Sequence, residues 1–366
     1  MKKHWKYWAA IIFLPAVAAA SLTGCGKPAE KSGEQPLKVG FVYISPVGDA
    51  GWTYAHDRGR AEMEKLPFIE TARAVESVAE TADATRVMTQ LAAQGCNLIF
   101  STSYGYMEQT LAAAKRFPEV VFMHCSGHKT APNMSTYFGK MYQARYLTGM
   151  VAGKMTGSNL IGYVAAHPIP EVIRGINAFT LGVRKVNPEA KVRVVWTYTW
   201  FDPPKERQAA VSLIEVGADV IAQHQDTPGP QQAAEEAGKY SIGYNVDMAP
   251  FAPRAHLTGA VWDWGVVYTA VAEAVHEGTW TNQPIWWGIE TGLVGLAPFG
   301  PMVPDEVRQL VKAEETKIAA GQLKIFSGPI RGQDGEVVIP KGKSLSDEEL
   351  FSMSYFVEGV EGEIPR

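Results

Sequence analysis

Along residues 37–123, short apolar runs alternate with stretches whose apolar positions recur at helical spacing. Residues 37–44, 69–75, 97–100 and 120–123 read as strands, and 53–64, 81–94 and 108–116 as the helices between them. Short continuous apolar strands separated by helices belong to parallel sheets covered on both faces. A long helix over 140–155 opens a second series, with strands near 160–164, 192–196, 219–222 and 241–244 and helices at 170–186, 203–216 and 231–237. A strand at 257–261 and a helix at 266–276 follow. The pattern predicts an α/β fold of two doubly wound Rossmann-like lobes, with a ligand cleft between their facing strand ends. The N-terminal lobe is expected over 37–138, with a returning segment at about 258–285. The C-terminal lobe is expected over 139–257, with part of about 286–366, and the tail is expected to cross back between the lobes.

The first residues follow a different logic. Lys2, Lys3 and Lys6 precede an apolar run over 8–20, too short for the roughly 20 residues of a spanning helix. Leu22-Thr23-Gly24-Cys25 resembles the lipobox of bacterial lipoproteins, in which the cysteine is acylated and becomes the new N-terminus. Residues 1–24 are therefore read as a signal peptide, Cys25 as the lipidation site, and 25–36 as a flexible tether rich in Gly, Lys, Glu, Ser and Pro. The expected location is extracytoplasmic (periplasmic), anchored to the membrane through that lipid. The remaining cysteines, Cys96 and Cys125, sit beside predicted buried strands and read as free core thiols, with one disulfide as the alternative.

Charge narrows the partners. With 34 basic and 38 acidic residues the net charge is -4, and loss of the three signal lysines makes it more acidic. Such a surface does not neutralise phosphates, so nucleic acid is not an expected partner. Catalysis is poorly supported too: there is no G-x-S-x-G elbow, no H-E-x-x-H, no phosphate-binding loop and no Cys/His spacing for a metal. No cofactor is expected, and the histidines read as surface or satisfied loop residues.

In open α/β sheets ligands bind beyond the carboxyl ends of strands. Aromatic residues collect there. Trp52 opens the first helix after a Gly/Pro-rich turn, and Trp200 precedes the Asp202-Pro203-Pro204 helix start. Two flat rings approaching from opposite lobes suit a planar heteroaromatic ligand. The polar groups placed to read its edge are Tyr104, Asp226, Asn245 and Asp247. Asp226 is equally placed to cap the next helix, and Asn245 and Asp247 to form a turn. Asp49 is open to a turn or a ligand role, and Asp202 reads as a helix cap.

These residues resemble the basic membrane protein (Bmp) family, purine- and nucleoside-binding lipoproteins of ABC importers. The resemblance rests on Val39-Gly40-Phe41-Val42 leading to Gly48-Asp49-Ala50-Gly51-Trp52, on Tyr146-Leu147-Thr148-Gly149-Met150-Val151-Ala152-Gly153-Lys154-Met155, and on Ile161-Gly162-Tyr163-Val164. It also rests on Asn177-Ala178-Phe179 with Gly182 and on Ile242-Gly243-Tyr244-Asn245-Val246-Asp247. It implies a periplasmic-binding-protein type I fold with three hinge crossings, and base-stacking roles for Trp52 and Trp200. Three positions depart from the family: Thr53 stands for an Asn, Asn245 for an acidic residue, and Trp262 for a lysine. The lost acid and lysine are the kind of groups that hold ribose hydroxyls, which implies a site closed over a free, adenine-like purine base. The expected binding set is thus Trp52, Thr53, Tyr104, Trp200, Asp226, Asn245, Asp247 and Trp262. The expected partners are a purine base or nucleoside, an ABC importer permease and the membrane, with the protein a monomer. The alternatives are a nucleoside binder of the same family, a ligand sensor feeding a signalling receptor and, least favoured, a nucleoside hydrolase.

Overall fold

The computed structural model describes residues 36–365, so the signal sequence and Cys25 lie outside the described residues. The first lobe begins with β1 (Leu37–Val42), α1 (Trp52–Met63), β2 (Ile69–Val75), α2 (Ala82–Ala93), β3 (Leu98–Ser101), α3 (Met107–Arg116), β4 (Val121–Cys125) and β5 (Met134–Gly139). The second contains α4 (Tyr142–Met155), β6 (Leu160–Ala165), α5 (Pro170–Val186), β7 (Lys191–Trp196), α6 (Pro203–Glu215), β8 (Val220–His224), α7 (Gly229–Glu236), β9 (Tyr240–Asn245) and β10 (His256–Trp262). The chain then returns to the first lobe for α8 (Gly265–His276) and β11 (Ile285–Trp287). It ends on the second with β12 (Val294–Leu296), α9 (Asp305–Ala319), the hairpin β13 (Ile330–Arg331) and β14 (Val337–Ile339), α10 (Asp347–Phe351) and β15 (Val360–Glu361).

Two sheets result. The first has the order β11-β5-β4-β3-β1-β2 with every pair parallel. The second runs β12-β10-β9-β8-β6-β7-β15, and only β12 is antiparallel. Helices cover both faces, which is why the central strands are buried along their length rather than on alternate residues. The chain passes between lobes three times, after β5, after β10 and after β11. This is the periplasmic-binding-protein type I architecture.

Three sequence expectations need revision. The returning segment does not begin at 258, because β10 pairs with β9 in the second sheet; the crossing comes at Asp263 and Trp264, and only α8 and β11 return. Within that pair Gly259 lies opposite Gly243. Strand β5 was not predicted: Ser135, Thr136 and Gly139 interrupt its apolar pattern, although every residue in it is buried. The histidines are not surface residues as a class, since His56, His124, His224 and His256 are all buried.

The glycines of the Tyr146–Met155 motif have a packing role. A side chain on Gly149 would collide with the carbonyl of Phe179, and one on Gly182 with that of Tyr146, so α4 and α5 cross backbone to backbone. Cys96 and Cys125 are free and buried, and burial pushes both thiols up.

Candidate functional site

The first lobe's wall is built on one carboxylate. After β1, Asp49 accepts hydrogen bonds from the amides of Gly51 (2.8 Å), Thr53 (2.8 Å) and Tyr54 (3.0 Å) and from the Ser45 hydroxyl (2.7 Å). Asp49 thus satisfies the open amides at the start of α1. Thr53 belongs to the same network through its hydroxyl, 2.6 Å from that of Ser45, and it does not line the cavity. The turn delivers Trp52, whose indole N–H donates to the Thr102 carbonyl at 2.9 Å. Behind Trp52 stands an aromatic block. Trp262 and Trp264 stack at 4.4 Å, His56 stacks on Trp264 at 4.4 Å, and Trp52 meets Trp262 edge-on at 6.0 Å. Trp262 therefore backs Trp52 rather than facing the cavity. Tyr104 sits on a turn pinned by Glu80, which accepts from the Ser103 hydroxyl (2.5 Å) and the Gly105 amide (2.9 Å).

The second lobe's wall joins three loops. Asp202 caps α6 by accepting from the Lys205 amide at 3.1 Å. Glu206, one turn on, accepts from the Asp202 amide (2.9 Å) and from the amide and hydroxyl of Thr227. This couples the Trp200 loop to the Asp226 loop, and Gln225 donates to the Thr197 hydroxyl across the same gap at 2.5 Å. Burial pushes Glu206 up to about 7 against the pull of those donors. Asp226 does not cap α7, whose first turn carries no side-chain cap. Its carboxylate is buried, and among the described residues it accepts only a long hydrogen bond, 3.5 Å, from the Asn245 amide. Burial, then the nearby Asp49 and Glu206 charges, push its pKa well above the usual carboxylate range.

Asn245 stands at the end of β9 with φ of 70°, a left-handed position that asparagine tolerates, so it forms the turn and braces Asp226 at once. Asp247 is two residues further on, where it accepts from the Ala249 amide at 3.0 Å, away from the cavity. Beneath the site Arg145 is fully buried: it donates to the Gln223 carbonyl at 2.6 Å and lies 3.7 Å from the Tyr244 ring centroid. The cation therefore lies against a ring that lines the cavity.

These two walls enclose a small cavity, about 20 Å³ in the closed form. Ile44, Trp52, Ser103, Tyr104 and Ser126 face it from one lobe; Glu171, Trp200, His224, Asp226 and Tyr244 face it from the other. Four of the eight sequence-predicted residues thus meet here: Trp52, Tyr104, Trp200 and Asp226. The lobes are closed on each other. Gly51 lies so near the Asp226 backbone that no side chain would fit, and the Ser126 hydroxyl donates to Glu171 across the cleft. Glu171 also lies 3.5 Å from His224, whose pKa burial lowers to about 4, so the imidazole is neutral. Glu171, His224 and Tyr244 were not singled out as site residues; His224 and Tyr244 stand at strand ends, where the post-strand rule points, while Glu171 lies in the first turn of α5. Among the described residues no cluster of His, Cys, Asp and Glu could hold a metal ion.

A profile of PnrA-like ABC transporter substrate-binding proteins, the Bmp family, matches residues 37–327. The chain is 46% identical to a purine-binding protein of Brucella abortus over 334 residues, 91% of this chain and 95% of the relative. It is 44% identical over 345 residues, 94% of this chain and 84% of the relative, to a putative ABC transporter glucose-binding protein of Haloferax volcanii. Among solved structures, an ABC transporter solute-binding protein of Conexibacter woesei superposes with a TM-score of 0.64 at 24% identity, covering 78% of this chain and 97% of its own. One from Aeropyrum pernix gives 0.69 at 18% identity over 81% and 93%. The chain belongs to the Bmp family of ABC transporter substrate-binding proteins; its work is binding, not catalysis, and it is done outside the cytoplasm.

Proposed function

We propose that this Bmp-family receptor captures a purine nucleobase, adenine-like, between Trp52 and Trp200 and presents the closed form to its permease. It acts as a monomer tethered to the membrane by a lipid on Cys25. The observation that carries the reading is Asp226, a buried carboxylate with one weak partner on the wall of a small cavity lined by two indoles. Such a group needs a donor, and a purine's exocyclic amine or ring N–H supplies one while its π face meets the tryptophans. A ribose would find neither the acid nor the lysine that the resemblance associates with it, because Asn245 is turned to Asp226 and Trp262 is packed behind Trp52.

Closure supplies the signal. A ligand that contacts both walls binds the closed form better than the open one, and the closed population rises by that difference. The test is a thermal-shift and calorimetry panel of adenine, hypoxanthine, guanine, adenosine, guanosine and D-glucose on protein stripped of carried-over ligand. The right solute raises stability by about 2.7 kcal/mol at one hundred times its Kd. Adenine stabilising without adenosine supports the base reading, and adenosine binding as tightly or more tightly overturns it. Binding of D-glucose alone overturns the purine reading and aligns the chain with the Haloferax relative.

A further inference from the structure

The family-model match ends at residue 327, whereas the Brucella relative aligns over 91% of this chain. Here the chain beyond 327 forms a strap. It is fastened to the second lobe along α5 and β7. Asn177 donates to the Tyr355 carbonyl (2.7 Å) and accepts from the Val357 amide (3.0 Å). Arg193 pairs with Glu361 at 2.7 Å, and β15 adds itself in parallel to β7.

Between these fastenings the strap raises α10, started by a capping box of Ser346 and Glu349. From the second lobe, the buried Arg174 of α5 donates to the Leu350 carbonyl at 2.7 Å. From the first lobe comes Trp286 of β11, a strand hydrogen-bonded to β5. Its indole N–H donates to Asp347 at 3.1 Å, and its ring lies 4.6 Å from that of Phe351. The Arg174 guanidinium lies 5.2 Å from the Trp286 ring and 5.6 Å from the Phe351 ring. The strap therefore touches both bodies that the ligand joins. The groove it borders, about 580 Å³, shares Tyr104, Ser126 and Glu171 with the inner cavity, so the contact lies beside the cleft.

We propose that the strap is a closure clasp: α10 docks on Trp286 of the opposite lobe and makes Trp286 and Phe351 affinity-determining residues that do not touch the ligand. Opening the cleft carries β11 away from α10 and breaks both the indole hydrogen bond and the aromatic pair. A contact made only in the closed form adds its free energy to every ligand's affinity. A hydrogen bond and an aromatic pair together amount to roughly a tenfold effect. The inference rests on the purine reading only for its first probe.

The test uses the full chain with adenine in calorimetry, and small-angle scattering without ligand. W286A, which removes both contacts, is expected to weaken binding about tenfold, which is about 1.4 kcal/mol, and F351A, which removes only the aromatic pair, about threefold. The double variant is expected to be no weaker than W286A, since both changes remove the same aromatic pair. V337A, an exposed change on the same tail away from Trp286, keeps wild-type affinity. Phe351 is 44% exposed, so F351A folds even where W286A does not. In scattering the clasp variants are at least as extended as wild type without ligand and equally compact with it. Wild-type affinity in F351A, or losses that simply add in the double variant, overturns the clasp. If adenine does not bind wild type but another solute of the panel does, the purine reading falls, and the same ratios with that solute decide the clasp.

Discussion

The two walls of the cavity are made of the same kinds of loop, yet they carry different chemistry. The first-lobe wall is neutral: an indole, a phenol, two hydroxyls and an isoleucine, with its carboxylates, Asp49 and Glu80, taken up by backbone amides and hydroxyls of that lobe's own loops. The second-lobe wall holds Glu171, His224 and Asp226, and Asp226 is left short of donors. Both walls contain a buried acid. What separates them is whether the protein or the ligand completes its hydrogen bonds, so the first lobe offers a platform and the second reads the ligand's edge.

The sharpest way to break this contrast is D226N. It replaces the carboxylate with a neutral amide, which removes the charge and one of the two acceptor oxygens, and is expected to weaken base binding about a hundredfold, from the ~1.5–3 kcal/mol of a hydrogen bond to a charged group. Folding stability should hold or rise, since a carboxylate crowded by Asp49 and Glu206 is gone. Unchanged affinity in calorimetry would remove Asp226 from the reading role. Next come the two indoles. W200A is expected to cost about tenfold in affinity with little change in melting temperature, because Trp200 is only half-buried. W52A should cost as much affinity and also several degrees of melting temperature, because it empties a buried site and strands the Thr102 carbonyl. Equal melting temperatures for the two variants would erase the distinction between platform and reader.

A smaller effect gives a sign. Asp226 has a raised pKa without ligand, and a base that donates an N–H to it favours the ionised form. Binding then releases a proton, so affinity rises with pH through the raised pKa. Calorimetry in buffers of different ionisation heat measures that proton. Proton uptake instead would mean that a ring nitrogen accepts from the protonated acid. A last expectation concerns the fold alone. His124 and His224 are held down to about 4, below the unfolded value near 6.5, so their contribution is complete above 6.5 and is lost as pH falls toward 4. Melting temperature should decline over that window, and H124Q should flatten the decline.

Much of the architecture was legible because buried parallel strands and amphipathic helices write their periods directly into the chain. The Leu37 strand, the α5 segment after Pro170 and the Asp202 cap needed no partner to be recognised. Strand β5 was hidden because its burial comes from neighbours on both sides, not from apolar composition. The site divides in the same way. Trp52, Tyr104, Trp200 and Asp226 were found from the post-strand rule, while Thr53, Asn245, Asp247 and Trp262 were drawn from the resemblance or from their place near a strand end. Their side chains have other engagements: Thr53 with Ser45, Asn245 with Asp226, Asp247 with the Ala249 amide and Trp262 with Trp264.

By itself the sequence determined the two α/β lobes, the family and the residue types at the strand ends, since periodicity and local capping act over a few residues. Only the tertiary structure decided which of those residues face one cavity, that Glu171 and Ser126 meet across it, and that the tail beyond 327 reaches the opposite lobe at Trp286. Those outcomes depend on how two separately folded sheets close on each other. That closure is set by contacts between residues distant in the chain, whose pairing no local pattern encodes.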